Sequence, residues 1–385
     1  MLNQTSDTSR KNRAFSPEPK QVMKIAQVAP LWERVPPPTY GGIELVVSHL
    51  TDELVRRGHD VTLFASGDSQ TLAKLEAVCP FALRLNPNLK EYSAYETLEL
   101  SQVYQRAAEF DIIHSHVGVP ALLSAHFVQT PTVHTLHGSF NSENKSVFTH
   151  HRNQSYVSIS NAQRQIDLNY VGTVYNGINP DNYPFIAQPQ QEMPYLAFLG
   201  RFSPEKGPQH ALAIAKKTGW HLKMAGKVDV VDKKFFEREV APHIDGNQIE
   251  YLGEISNAEK SQLLGNATVA LFPIAWQEPF GLVMIESMAA GTPVIAMNMG
   301  SVPEVIAQGE TGFVCSSYEE MAAMIPHAVQ LSRHNCRKYV ENNFSIIEMV
   351  NGYEKVYRDI LNRSRQNGYV HGTKIQFESI AFSAS

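Results

Sequence analysis

The chain has 385 residues, 43% of them hydrophobic and 18% charged, with a net charge of −5 at pH 7. That length exceeds one ordinary core, so two domains are expected, and the acidic balance argues against nucleic acid as a bulk partner. No apolar run is long enough to span a bilayer, the N-terminus lacks the apolar stretch of a secretory signal, and the three scattered cysteines, Cys79, Cys315 and Cys336, suit reduced thiols better than a disulfide framework. A soluble, cytoplasmic protein is expected, a reading compatible with peripheral membrane contact.

In chain order, residues 1–22 are polar and read as a disordered leader. Met23–Ala29 is a short apolar run suited to the central strand of a parallel sheet. A stiff loop with Pro36, Pro37 and Pro38 then reaches Gly41-Gly42, a helix is expected from Ile43 to Arg57, and Val61–Ala65 is the next strand. This unit opens a Rossmann-like sheet, although the G-x-G-x-x-G spacing of dinucleotide enzymes is absent. Further strands are expected at Asp111–His116, Thr132–Leu136, Tyr156–Ile159 and Thr173–Tyr175, with helices near Tyr95–Phe110, Val119–Phe127, Glu143–Arg152 and Asn161–Asp167.

Asn176-Gly177 and the Pro/Gln-rich stretch to Pro194 mark a boundary. Beyond it, strands are expected at Tyr195–Leu199, Leu222–Ala225, Ile249–Leu252, Val269–Phe272 and Val294–Met297. Helices are expected at Pro208–Thr218, Lys233–Ala241, Ala258–Leu264, Leu282–Ala290, Glu319–Leu331 and Ile346–Asn362. The alternation implies a second parallel sheet and an α/β fold. The expected divisions are a leader (1–22), a first domain (23–183), a second domain (190–344), a closing helix (345–363) and a weakly ordered tail (364–385).

The chemistry gathers in three loops. After the strand Val269–Phe272 comes Glu278-Pro279-Phe280-Gly281-Leu282, a Gly-bearing loop that opens a helix. Unpaired backbone N–H groups and the helix dipole favour a phosphate or an electron-rich hydroxyl there. Glu278 lies in the loop and Glu286 more than a turn inside the helix, so the two reach different parts of one extended ligand. Arg201 and Lys206 share the loop after another strand, and such a pair suits a diphosphate: Arg clamps oxygens bidentately and Lys supplies a point charge. Gly253-Glu254 ends a third strand on the same sheet edge.

In the first half, Gly41-Gly42 lets backbone approach a phosphate closely, and His137 sits at the carboxyl edge, where such sheets bind ligands. His114 and His116 share one strand face. No carboxylate or cysteine joins them, His134 or His137 at ligand spacing, so no metal site is expected. Taken singly, each of these residues reads as an ordinary turn or solvated side chain; their convergence on one crevice between the halves is what points to a site.

Together, Gly41-Gly42, His137-Gly138, the run Gly200-Arg201-Phe202 to Glu205-Lys206-Gly207, and Glu278-Pro279-Phe280-Gly281 with Glu286 resemble the retaining family 4 glycosyltransferases. Gly291-Thr292-Pro293-Val294, Pro303-Glu304-Val305 and Thr311-Gly312 add to the likeness, which spans about Met23 to Leu361. The resemblance implies a GT-B fold of two Rossmann-like domains, the first holding the acceptor and the second a nucleotide sugar, with the last helix crossing back onto the first. It implies that Arg201 and Lys206 bind the donor diphosphate, Glu286 the ribose hydroxyls and Glu278 a sugar hydroxyl. The backbone of Pro279, Phe280, Gly281 and Leu282 would meet the sugar or phosphate, Gly41 and Gly42 the distal phosphate, and Gly253-Glu254 the base, with His137 near the transferred sugar. The first loop, Pro36 to Glu44, and the segment Ser158 to Arg164 are similar to a bacterial subgroup that includes tetrahydrobiopterin glucosyltransferase-like sequences. That points to UDP-glucose and a small soluble acceptor such as a pteridine.

The implied reaction is transfer of a hexose to an acceptor hydroxyl with retention of anomeric configuration. The main catalytic task is stabilising charge on the leaving diphosphate, with no cofactor and no metal required. Two alternatives stand beside it: synthesis of a surface polysaccharide or glycolipid from another nucleotide sugar, and a catalytically silent nucleotide-sugar-binding protein.

Overall fold

The computed structural model describes residues 21–39, 41–189 and 193–366. Nearly all of the expected leader and most of the expected tail lie outside the described residues. The first sheet has seven strands: β1 (Lys24–Val28), β2 (Asp60–Phe64), β3 (Lys74–Glu76), β4 (Ile112–Ser115), β5 (Thr132–Leu136), β6 (Ser155–Ser158) and β7 (Tyr170–Thr173). The second has six: β8 (Tyr195–Leu199), β9 (His221–Ala225), β10 (Ile249–Tyr251), β11 (Val269–Phe272), β12 (Val294–Met297) and β13 (Gly312–Cys315). The spatial orders are β3-β2-β1-β4-β5-β6-β7 and β10-β9-β8-β11-β12-β13, and the neighbouring strands are parallel. This is an α/β fold with two doubly wound sheets. The central strands are buried along most of their length, which is why they read in the sequence as continuous apolar runs rather than alternating ones.

Each sheet reverses its winding once, between β1 and β4 in the first and between β8 and β11 in the second. Ligands of such sheets bind outside the carboxyl ends of the strands at this reversal. The loops leaving these four strands carry Gly41-Gly42, His116, Arg201–Gly207 and Glu278–Gly281.

The first helix, Gly42–Arg56, buries Val46, Val47, Leu50 and Leu54, one apolar stripe at helical spacing. The chain crosses between the domains twice, and the two passes touch: Ile178 N donates to Phe344 O at 2.9 Å and Ile346 N to Ile178 O at 2.9 Å. Gly177 is required at this crossing, because a Cβ there would stand 2.4 Å from the Ser345 carbonyl oxygen. The last helix, Ile346–Gln366, then lies on the first domain and buries Met349, Val350, Tyr353, Val356, Tyr357 and Ile360 against it. Among the described residues no helix is long and apolar enough to cross a membrane. The three cysteines are buried and free.

Several expected elements are corrected. Asn161–Asp167 is not helical. The Gln163 side chain is drawn back to the carbonyls of Leu136 and Gly138, both at 2.9 Å, and the N–H groups of Asn161 and Ala162 go to the Glu304 carboxylate, so side-chain bonds to distant parts of the chain displace the helix. The strand expected at Thr173–Tyr175 lies earlier, at Tyr170–Thr173, where the pairing with β6 shifts register. Lys233–Ala241 breaks into short turns of different pitch ahead of Pro242. The helix expected to run to Leu331 ends at Ala328, and a separate helix, Arg333–Asn343, starts where the Ser332 hydroxyl caps Asn335 N. The last helix continues to Gln366, beyond its expected end at Asn362. Strands β3 and β13, three and four residues long, escaped the sequence pattern because they are too short to show a period.

Candidate active site

The domains face each other across a cleft of about 760 Å³. His137, Gly41 and Gly42 line it from the first domain. Arg201, Lys206, Glu254, Glu278, Pro279, Phe280, Gly281, Leu282 and Glu286 line it from the second. Gly253 lies in the adjoining turn with φ 75°. A Cβ built on Gly42 would stand 3.4 Å from Leu282 Cδ1, so the N-termini of the helices Gly42–Arg56 and Leu282–Ala289 approach each other across the gap.

The wall of the second domain is built from three interlocked loops. Ala275 N donates to Glu205 O at 2.8 Å and ties the first loop, Arg201–Gly207, to the third, Ala275–Gly281. The third loop is held from behind: Ser301 N donates to Glu278 O at 2.9 Å, and Ser301 Oγ donates to Phe280 O at 2.8 Å. Gly281 turns the chain into the helix with φ 81°, in the left-handed region open to glycine, and packs so closely that a Cβ would lie 2.7 Å from Met284 Cε. The Phe280 ring is buried among Tyr175 and Phe344, so what this residue offers a ligand is its backbone.

Each charged group expected at the donor end is already held by a neighbour. Lys206 Nζ donates to Glu278 Oε2 at 2.5 Å and sits 4.6 Å from the centre of the Trp276 ring, and Trp276 Nε1 donates to the same carboxylate oxygen at 2.9 Å. Arg201 pairs with Glu205 and lies 3.7 Å from Asp229, which also holds Lys227. Glu286, 3% exposed, accepts from Tyr183 Oη and Lys260 Nζ, both at 2.7 Å. Glu254 reaches across to the first domain, where its Oε1 accepts from Thr39 Oγ1 at 2.9 Å. Tyr183, Lys260, Trp276 and Asp229 were not singled out in the sequence. Only the Trp276–Glu278 pair, two residues apart, is local enough to have been read there.

On the first domain, burial pushes the His137 imidazole down to about 4, so it is neutral near pH 7. His116 and His114 are held well below their ordinary value, first by burial and then by the neighbouring imidazoles. Among the described residues no group of three or more His, Cys, Asp or Glu is placed to hold a metal ion.

The rest of the first-domain wall has its own chemistry. Trp32 is 45% exposed and stands edge-on to Tyr92, and Glu33 and Glu44 are buried beside it. Glu33 pairs with Arg84. Glu44 is pushed up to about 7, chiefly by burial and then by the charge of Glu33, against the pull of backbone N–H groups.

Residues 40–182 match the family described as Glycosyltransferase Family 4, and residues 180–343 match Glycosyl transferases group 1. The chain carries these two glycosyltransferase domains in tandem. It is 26% identical to a glycogen synthase of Mycobacterium tuberculosis over 89% of this chain and 96% of that protein. It is 25% identical to the N-acetyl-alpha-D-glucosaminyl L-malate synthase of Bacillus anthracis, over 86% of this chain and 97% of that one. In fold it is similar to the sucrose-phosphate synthase of Thermosynechococcus elongatus, with a TM-score of 0.73, 19% identity and coverage of 88% and 99%. It is also similar to the Anabaena protein HepE solved with UDP-glucose, with a TM-score of 0.69, 17% identity and coverage of 88% and 100%. The glycosyltransferase thus has the GT-B architecture that the resemblance implied.

Proposed function

We propose that this glycosyltransferase moves a hexose, glucose from UDP-glucose, onto an acceptor hydroxyl with retention of configuration and without a metal ion. The observation that carries the reading is the pairing of Lys206 with Glu278 at the mouth of the helix Leu282–Ala289, facing His137 across the cleft. As the glycosidic bond breaks, negative charge grows on the leaving diphosphate. An ammonium has three N–H donors. One of those of Lys206 goes to Glu278, and the others serve the phosphate together with Arg201 and the first-turn N–H groups of the helix. Glu278, anchored by Lys206 and Trp276, then meets a sugar hydroxyl. The leaving phosphate takes the acceptor proton, and His137 and Glu278 orient the sugar. HepE, solved with UDP-glucose on the same fold, supports the choice of donor.

The acceptor side favours an uncharged molecule. Trp32 offers a flat apolar face and Glu33 and Glu44 offer acceptor oxygens, whereas Arg84 is committed to Glu33. A saccharide hydroxyl or a pteridine side chain fits this chemistry, and an anionic phospholipid fits it poorly. The test is mass-spectrometric product analysis with a panel of nucleotide sugars, neutral and phosphorylated acceptors, and cell extract, in buffer with and without EDTA. A glucosylated neutral product formed equally with EDTA is expected. Transfer only to anionic lipid, or activity abolished by EDTA and restored by Mn²⁺, would overturn the corresponding part of the reading.

A further inference from the structure

A buried hydrogen-bonded chain runs from His137 through the first sheet to the last helix. His137 Nε2 lies 2.9 Å from His116 Nδ1, His116 Nε2 lies 2.9 Å from Gln27 Oε1, and Gln27 Nε2 donates to Tyr357 Oη at 3.1 Å. Tyr357 Oη is 2.7 Å from His114 Nδ1, His114 Nε2 is 2.6 Å from Thr135 Oγ1, and that hydroxyl is 3.1 Å from Tyr353 Oη. Gln27 belongs to β1, His114 and His116 lie on and just after β4, Thr135 and His137 on and just after β5, and Tyr353 and Tyr357 come from the last helix, so four separate parts of the chain meet here. Gln27, His114, His116, Thr135, Tyr353 and Tyr357 are all buried.

The directions of these bonds follow in order from Gln27. Its amide oxygen can only accept, so His116 Nε2 carries a hydrogen. A buried, neutral imidazole has one N–H, so His116 Nδ1 is bare and must accept. The facing atom, His137 Nε2, therefore carries the hydrogen, and His137 Nδ1 is the bare nitrogen left for a ligand.

We propose that Gln27 and His116 are positioning residues for sugar transfer, fixing His137 as the Nε2–H tautomer so that it accepts from a substrate hydroxyl through Nδ1 and never donates to one. This rests on the reading of the cleft as a sugar-transfer site. It assigns distinct tasks to the two walls. A neutral acceptor nitrogen does nothing for the charge on the leaving phosphate, which falls to Lys206 and Arg201. His137 instead selects a hydroxyl and sets its orientation. Tyr357 opposes turning over of the Gln27 amide when its own hydrogen goes to His114 Nδ1, 2.7 Å away, since its hydroxyl can then only accept from Gln27 and so faces Nε2. The last helix, which enters after the second domain, thereby supports a group in the cleft.

The test reads the ring nitrogens of the ¹⁵N-histidine-labelled full chain by long-range proton–nitrogen correlation at pH 7, with a His137→Asn sample for assignment. Nε2–H tautomers at both His116 and His137 are expected. An Nδ1–H form or an imidazolium at His137 would overturn the proposal without any variant having to fold. Gln27→Leu removes the acceptor and should give mixed tautomers at His137 and lower kcat by about tenfold or more, since an imidazole in the wrong tautomer is costly at a reacting centre. The donor KM should change far less. Gln27→Glu keeps an oxygen for His116 and should restore both the single tautomer and most of kcat. Equal losses in the two variants, or an unchanged tautomer in Gln27→Leu, would count against it. Calorimetry of UDP binding to the wild-type chain separates the two levels of argument: failure to bind sinks the transfer reading and leaves the tautomer assignment standing.

Discussion

Lys206 and Glu278 form an ion pair at 2.5 Å, with side chains only 16% and 8% exposed, over the face of Trp276. The pair joins a loop of β8 to a loop of β11, so it sets both the position of the cation and the shape of the cleft wall. Lys206→Ala should lower kcat by about a hundredfold or more, the scale of losing one donor to a developing oxyanion. It should also lower Tm, because Glu278 loses its counter-charge. Steady-state kinetics with Tm measured alongside decides: a folded Lys206→Ala protein with near-wild-type kcat would remove the diphosphate from this site.

Glu286 should fail differently. It is proposed to hold ribose, remote from the reacting carbon, where ground and transition states bind alike. Glu286→Ala should therefore raise the donor KM more than it lowers kcat. The structure adds a cost in stability. Lys260 is 14% exposed and would lose its carboxylate partner, which for a buried pair costs about 3 kcal/mol or more. Tyr183→Phe, which spares the Lys260–Glu286 pair and removes from Lys260 only a 3.4 Å contact to the hydroxyl, should be much milder on both counts. A collapse of kcat with unchanged KM in Glu286→Ala would reassign the residue to the chemistry.

The strands and the glycine-bearing loops were legible in the sequence because their signals are local. Val269–Phe272 is a run of apolar residues, and Gly281 marks a turn into a helix. The partners that tune the site were not legible, because tertiary contact alone creates them. Tyr183 and Lys260 stand 103 and 26 positions from Glu286, and Tyr357 stands 330 from Gln27. The error at Asn161–Asp167 has the same origin. Its residues read as a helix until Glu304, 143 positions away, takes the N–H of Asn161. The helix Arg333–Asn343 is a different case, since its Ser332 cap is a local signal present in the sequence.

Glu304 also gives a prediction about the domain interface. Its carboxylate accepts from Asn161 N, Ala162 N, Asn161 Nδ2 and Tyr175 Oη at 2.7, 2.7, 2.9 and 2.9 Å, so one side chain of the second domain gathers four donors from the opposite side of the cleft. Glu304→Ala should cost on the order of 2 kcal/mol, as hydrogen bonds to a charged group are lost. It should also loosen the closed arrangement. The expected signs are a lower Tm and a larger radius of gyration in solution scattering, reversed in part by saturating UDP. An unchanged radius and Tm would show that the domains are held by other contacts.

The histidines predict how stability depends on pH. Burial pushes His134 and His137 down to about 4 from an ordinary 6.5, and His114 and His116 are also held well below 6.5. In the unfolded chain these groups take up protons near 6.5; in the folded one His134 and His137 do so only near 4, and His114 and His116 only well below 6.5. Between those limits the unfolded state binds more protons, so stability falls as pH falls. The contribution is fully present above 6.5 and is lost as pH drops toward 4. Glu44 and Glu99 act in the opposite sense. Burial lifts Glu44 from 4.5 to about 7 and Glu99 well above 4.5, so the folded state holds their protons in much of the same window. His49, His151 and His210 are lowered as well, and Glu96 and Asp232 raised, so among the described residues seven imidazoles oppose four carboxyls and net proton uptake on unfolding is expected near pH 5.5. Urea titrations at pH 7, 6 and 5 should show a steadily falling midpoint at constant slope, with a smaller fall in His114→Phe if that variant folds. A stability that rises from pH 7 to pH 5 would mean that the buried carboxyls, and not the histidine chain, dominate the linkage.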